Sequence, residues 1–203
     1  LADAGSTTDG TSIATASITP LANQVLYAAV SAFSAVSLIP PTATGNGLTW
    51  VQVATIAVDI NRELTVFRAQ GAAPSAGAVT FDFGAVPQTS FRWVVIQYAG
   101  ADATGTNGSG ATPQSQTAAT ASGTSLSVTL PGALAAATSR MLVFTATAST
   151  IVTSDADFTR LTEGTIGANT HRLESEHAIN QTNCVTTFAL QAAGCVALEV
   201  KAA

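Results

Sequence analysis

Arg62-Glu63-Leu64-Thr65-Val66-Phe67-Arg68 decides the fold. Successive side chains of a strand point to opposite faces. Leu64 and Val66 therefore share one side of this segment, and Glu63, Thr65 and Phe67 the other. The form returns as His171-Arg172-Leu173-Glu174, with Leu173 in the place of Leu64. There Arg172, Glu174 and Glu176 occupy the opposite face. This predicts a strand with one apolar face inward and one charged face in water.

Outward from these two segments, five further pairs recur in the same order. Gly10-Thr11-Ser12 is matched by Gly123-Thr124-Ser125, and Val25-Leu26-Tyr27-Ala28-Ala29-Val30 by Met141-Leu142-Val143-Phe144-Thr145-Ala146. Leu48-Thr49-Trp50-Val51 is matched by Phe158-Thr159-Arg160-Leu161, which sets Arg160 in the place of the tryptophan. Val79-Thr80-Phe81 is matched by Val185-Thr186-Thr187, and Trp93-Val94-Val95-Ile96 by Cys195-Val196-Ala197-Leu198. About six short strands per half, with turn signals between them, predict an all-β protein: a jelly-roll-like antiparallel β-sandwich made of two similar halves.

The expected organisation is an N-terminal arm over residues 1–10 and a single sandwich over 11–203. Half one is 11–100, a Gly/Thr/Ser/Ala-rich linker loop covers 101–122, and half two is 123–203. Trp93 to Tyr98 and Cys195 to Val200 are apolar on both faces or nearly so, which predicts central strands covered on both sides. Val25 to Ile39 is too short for a membrane helix, which needs roughly 20 apolar residues, and reads as a strand entering a loop. The chain opens on Leu1, as after removal of a leader or a late numbering start, and no signal-peptide pattern is visible in it.

Charged residues make up only 9% of the chain and apolar residues 47%, against roughly 25% charged in ordinary domains. Lys201 is the one lysine. A net charge of −5 opposes nucleic-acid binding, which needs cations against phosphate, and also opposes anionic membranes. A surface of Thr, Ser, Ala, Asn and Gln suits a protein packed into an assembly or working outside the cell.

No residue pattern demands a chemistry: G-x-S-x-G, H-E-x-x-H, C-x-x-C and the Walker lysine are all missing. Catalytic and cofactor residues are expected to be none. His171 and His177 would lie about 20 Å apart along a strand, too far to share a metal ion. Glu174 and Glu176, with Cα atoms roughly 7 Å apart, have glycosidase-like spacing but read as a solvated face. Asp155 with Asp157, and Asp3 with Asp9, are candidates for a structural calcium site. Trp50, Phe91 and Tyr98 are the candidate ligand contacts, through stacking on a glycan, although core packing is the ordinary role of such rings. Parity points Cys184 inward and Cys195 outward, which opposes a disulfide unless a bulge resets the register.

Gly47-Leu48-Thr49-Trp50-Val51, Arg62 to Arg68, Val94-Val95-Ile96-Gln97-Tyr98-Ala99-Gly100 and Met141-Leu142-Val143-Phe144 resemble a group of repeat-built jelly-roll domains from phage virion proteins and exported bacterial surface proteins. The second half departs from that pattern at Arg160, and at His177 where the first has Arg68. The resemblance implies a non-enzymatic virion structural protein, a capsid decoration or a fibre or tail surface component. Its partners would be other copies of itself and a capsid or tail protein, without nucleic acid or membrane, and its place the virion surface. The other expectation is a carbohydrate-binding or adhesive module of an exported bacterial protein, extracellular or at the cell surface.

Overall fold

The computed structural model describes residues 2–148, 152–166 and 171–203, and nearly all of the regular structure in it is antiparallel β. In the first half the strands are β1 (Ala2–Ser6), β2 (Ser12–Ala14), β3 (Val25–Phe33), β4 (Thr42–Gly45), β5 (Val51–Ala57), β6 (Arg62–Ala69), β7 (Val79–Asp82) and β8 (Ser90–Tyr98). The second half holds β9 (Ser115–Thr129), β10 (Arg140–Thr147), β11 (Thr159–Ile166), β12 (His171–Ile179) and β13 (Asn183–Val200). No helix among the described residues is long and apolar enough to cross a membrane.

Pairing in the first half is nested: β1 with β8, β2 with β7, β3 with β6. The result is a five-stranded sheet, β1-β8-β3-β6-β5, facing a three-stranded sheet, β2-β7-β4, an eight-strand jelly roll. The second half builds the sheet β11-β12-β10-β13-β9. Here the long strands β9 and β13 pair along both of their ends, so one pair serves where the first half uses two. The Thr153–Thr187 bridge lies beside the first part of β13, as β4 lies beside β7. The five-stranded sheets place corresponding strands in the same order: β5 and β11 at one edge, β3 and β10 in the centre, β1 and β9 at the other edge.

A bulge sits at the same ladder position in both sheets. In β5 the register slips between Gln52 and Ala54, opposite Phe67 and Val66. In β11 it slips between Arg160 and Thr162, opposite Glu176 and Ser175. Counting from these bulges corrects the sequence alignment, because Arg160 stands where Gln52 does and Phe158 where Trp50 does. Both aromatics are buried, so the second half keeps its ring, displaced by two residues from the sequence match.

Three apolar layers stack through the molecule, and a single shared interior was the expectation. Leu26, Ala28, Val30, Phe67, Phe81 and Phe91 fill the first sandwich. Met141, Val143, Phe158, Cys184, Phe188 and Cys195 fill the second. Between the five-stranded sheets lies a third layer containing Tyr27, Leu64, Val94, Phe144, Leu173 and Leu198. Each central strand therefore feeds two cores. The doubly apolar runs of β8 and the end of β13 follow from this, with both faces covered in apolar side chains rather than water. The sheets stack with β5 over β9 and β11 over β1.

Two expected boundaries move. Residues 2–6 are β1, paired along β8 from Ala2↔Val95 to Ser6↔Phe91, so the segment closes an otherwise open sheet edge instead of leaving as an arm. The expected linker loop 101–122 is mostly structured: a 3-10 helix over Thr106–Ala111, then the start of β9. Ala111 is buried in the middle layer, and Thr112 Oγ1 lies 2.8 Å from the Tyr27 hydroxyl. A long apolar partner, β13, makes a strand of this Ser/Thr/Ala sequence.

Candidate functional site

The face of β12 expected to meet water is instead sealed inside the second sandwich. Glu174 is 0% and Glu176 1% exposed, and Arg172 is buried beside them. By ladder register Glu176 occupies the position of Phe67 and Glu174 that of Thr65. Where the first sandwich buries a phenyl ring, the second buries a carboxyl group.

Charges here are matched, save one. Arg160 Nε donates to Glu174 Oε1 at 2.7 Å, and its Nη1 to Glu163 Oε2 at 2.8 Å. Arg172 Nη1 donates to the other Glu163 oxygen at 2.6 Å. Ser154 Oγ donates to Glu174 Oε1 at 2.5 Å. Two guanidiniums thus answer Glu163 and Glu174. Glu176 has no cation: its Oε1 accepts from the Cys184 thiol at 3.2 Å, and Ser154 and the Asp155 backbone also hydrogen-bond to its carboxyl. The Oε2 atoms of Glu174 and Glu176 have no hydrogen-bond partner among the described residues. Burial pushes the Glu176 carboxyl up to about 7, with the nearby Glu174 adding to the rise. Burial also raises Glu174, against the pull of Ser154 and Arg160. The same desolvation pushes the Cys184 thiol far up and Cys195 up to about 12, so neither is an activated nucleophile.

A segment running from Val152 to Phe158 covers this cluster. Thr153 and Thr187 exchange backbone hydrogen bonds of 2.8 and 3.1 Å, and Val185 N donates to Asp155 Oδ2 at 2.8 Å. Arg160 Nη2 donates to the Val152 carbonyl at 2.6 Å. Under this cap both carboxyls are buried among the described residues instead of facing water as expected.

Other sequence candidates fall elsewhere. Trp50, Phe91 and Tyr98 are all buried. Sugar stacking needs an exposed ring face, and the first sandwich has taken Trp50 and Phe91 and the middle layer Tyr98. Phe91 stacks on Phe83 in the first sandwich, and Trp50 Nε1 donates to the Gly45 carbonyl. Tyr98 lies in the middle layer with its hydroxyl 2.6 Å from His177 Nδ1. The side chain of His171 lies outside the described part. Asp155 accepts from the Asp157 and Val185 backbone, while Asp3 pairs with Arg92 and Thr162. Among the described residues no three His, Cys, Asp or Glu side chains gather as a metal site. Both cysteines are unpaired and buried in the second sandwich. The expected outward Cys195 points inward because β13 slips register between Thr187 and Ala193.

Two open grooves flank the middle layer. One, of about 440 Å³, is lined by Ala2, Asp3, Val94, Ile96, Leu161 and Thr162. The other, of about 580 Å³, is lined by Leu38, Val58, Ile60, Ala119, Ala121 and Ala192, with Asp59 and Thr120 among its few polar groups. Ile60 on its rim is 87% exposed, and Val36 and Leu190, near lining residues in sequence, are 71% and 70% exposed.

No family model, curated protein or solved structure matches this chain. Arg62, Arg92, Arg160, Arg172 and Lys201 each sit in an intramolecular ion pair, and Arg68 Nε donates to the Asn107 carbonyl. Most of the positive charge in a weakly charged chain is thereby spent inside the molecule.

Proposed function

We propose that this protein is a non-enzymatic structural component of an assembly, acting through contacts between copies of itself and with a shell or fibre protein. A virion surface, as capsid decoration or as a fibre or tail component, is the setting that the resemblance favours. The observation carrying the reading is the surface: small polar residues, most cations already paired within the chain, and an apolar groove with Ile60 exposed on its rim. Covering Ile60 and the apolar groove beside it with a neighbouring copy would gain about 25 cal/mol per Å² of apolar surface taken from water. With few charges to desolvate, such contacts carry little electrostatic penalty. Closed symmetry is the ordinary outcome for identical subunits.

Electron microscopy of the purified chain tests this reading. Discrete symmetric particles, or ordered decoration of a purified shell, are the expected images. Single copies at every concentration, together with a strong and selective binder on a glycan array, would transfer the protein to the adhesive class.

A further inference from the structure

We propose that two copies of this chain join across a twofold axis by pairing the free edge of β9 antiparallel to itself, along residues 115–120. The proposal rests on the assembly reading above and names the surface through which copies meet.

An edge strand turns every second backbone N–H and C=O away from its one neighbour. The five-stranded sheets put β5 and β9 at the edges on one side of the molecule, and β1 and β11 on the other. Proteins blunt such edges with charge, proline, bulges or brevity. β1 is five residues long and carries Asp3, and β11 carries Arg160 and Glu163 beside its bulge. In the small sheet the edges β2 and β4 are three and four residues long. β9 runs for 15 residues without an Asp, Glu, Lys, Arg, His or Pro. β5, stacked over it, is bulged but equally free of charge and proline. One side of the molecule is guarded by charge and the other is not.

The ladder from β9 to β13 is regular from Ser115↔Leu198 to Thr120↔Ala193 and slips beyond that point. Among the described residues, no backbone group outside β13 bonds to this run. A second copy of the same run, laid antiparallel, would meet its outward donors and acceptors without any change in the strand. A twofold contact sets a strand against itself, so each side chain meets its own kind or a near neighbour. Like charges placed opposite in a strand pair repel, and Gln116, Thr117, Ala118, Ala119 and Thr120 bring none. Pairing this run with β1 or β11 of the next copy would instead carry Asp3, Arg160 or Glu163 into the contact and cost desolvation of those charges.

The apolar groove lies on the same side. Ala119, Thr120 and Ala121 belong both to β9 and to the groove lining, with Leu38, Val58 and Ile60 across from them. Pairing along 115–120 brings each groove, and the 87% exposed Ile60 on its rim, toward the partner. Backbone hydrogen bonds and apolar burial are then gained in one contact.

Hydrogen exchange read by mass spectrometry on the full chain tests this, at concentrations below and above those at which sedimentation shows association. Peptides covering 115–120 should slow on the order of tenfold in the associated form, while those covering β1 and β11 exchange as in the single copy. Ala119→Lys should prevent association, and Leu161→Lys on the β11 edge should leave it intact. If Ala119→Lys does not fold, the exchange of the wild type decides. A defined oligomer whose residues 115–120 exchange as in the single copy, or whose association survives Ala119→Lys in a folded chain, would overturn the β9 pairing and leave the assembly reading standing. A chain that stays single at every concentration would overturn the β9 pairing and self-association together.

Discussion

The hydroxyl of Tyr98 on β8 lies 2.6 Å from Nδ1 of His177 on β12, a polar contact that joins the two halves across the middle layer. The rings lie with centroids 5.7 Å apart, and Tyr98 also meets Tyr27 edge-on. Half one thus reaches into half two with a side chain whose burial raises its own pKa well above the ordinary tyrosine value. The first strand pair carries Arg68 at the position of His177, bonded instead to the Asn107 carbonyl.

Burial lowers the His177 pKa, and Arg140 adds to the effect. The native ring therefore resists protonation more than the unfolded chain does. Stability from this residue is fully present above the ordinary histidine value of about 6.5 and is lost as pH falls through it. In thermal melts from pH 7.5 to 5, His177→Gln should show less acid destabilisation than the wild type. Tyr98→Phe should cost about 1–2 kcal/mol at pH 7.5, because Nδ1 loses its partner in a half-buried site.

Glu176 works in the opposite sense. Its native pKa of about 7 stands above the unfolded value of 4.5, so the folded form binds the proton more tightly between those values. Stability is greatest below 4.5 on this account and declines as pH rises toward 7, by on the order of 3 kcal/mol if the site stays closed. Denaturant titrations at pH 5 and 8 should find Glu176→Gln more stable than the wild type at pH 8, with the difference narrowing at pH 5.

Trp50 and Phe158 should be energetic equivalents. Each is buried just ahead of the bulged edge strand of its own sandwich. Alanine at either position should cost about 3–5 kcal/mol, measured by chemical denaturation. A Phe158→Ala cost near zero would refute the alignment drawn from the bulges.

The strands themselves were legible in the alternation of Leu64 and Val66 and in its echo at Leu173. Central placement of β8 and the end of β13 could be read from runs with no polar face. Charged side chains misled: Arg172, Glu174 and Glu176 have the pattern of a solvated face, and only their cross-sheet partners Arg160, Glu163 and Ser154 make burial tolerable. None of those partners is local in sequence. Bulges hid two more features. The sequence match set Arg160 against Trp50, whereas counting from the bulge that both edge strands share sets Phe158 there, and the slip in β13 turned Cys195 inward. The first part of β9 escaped notice because Ser, Thr and Ala carry little strand signal until a partner such as β13 pairs with them.

Sedimentation velocity across a wide concentration range tests most directly whether the protein works through contacts between copies. The wild type should shift toward one defined oligomer as concentration rises, and Ile60→Asp, on the rim of the apolar groove, should hold it nearer the single chain without altering its melt. A wild-type chain that sediments as one copy throughout, indistinguishable from Ile60→Asp, would contradict the account.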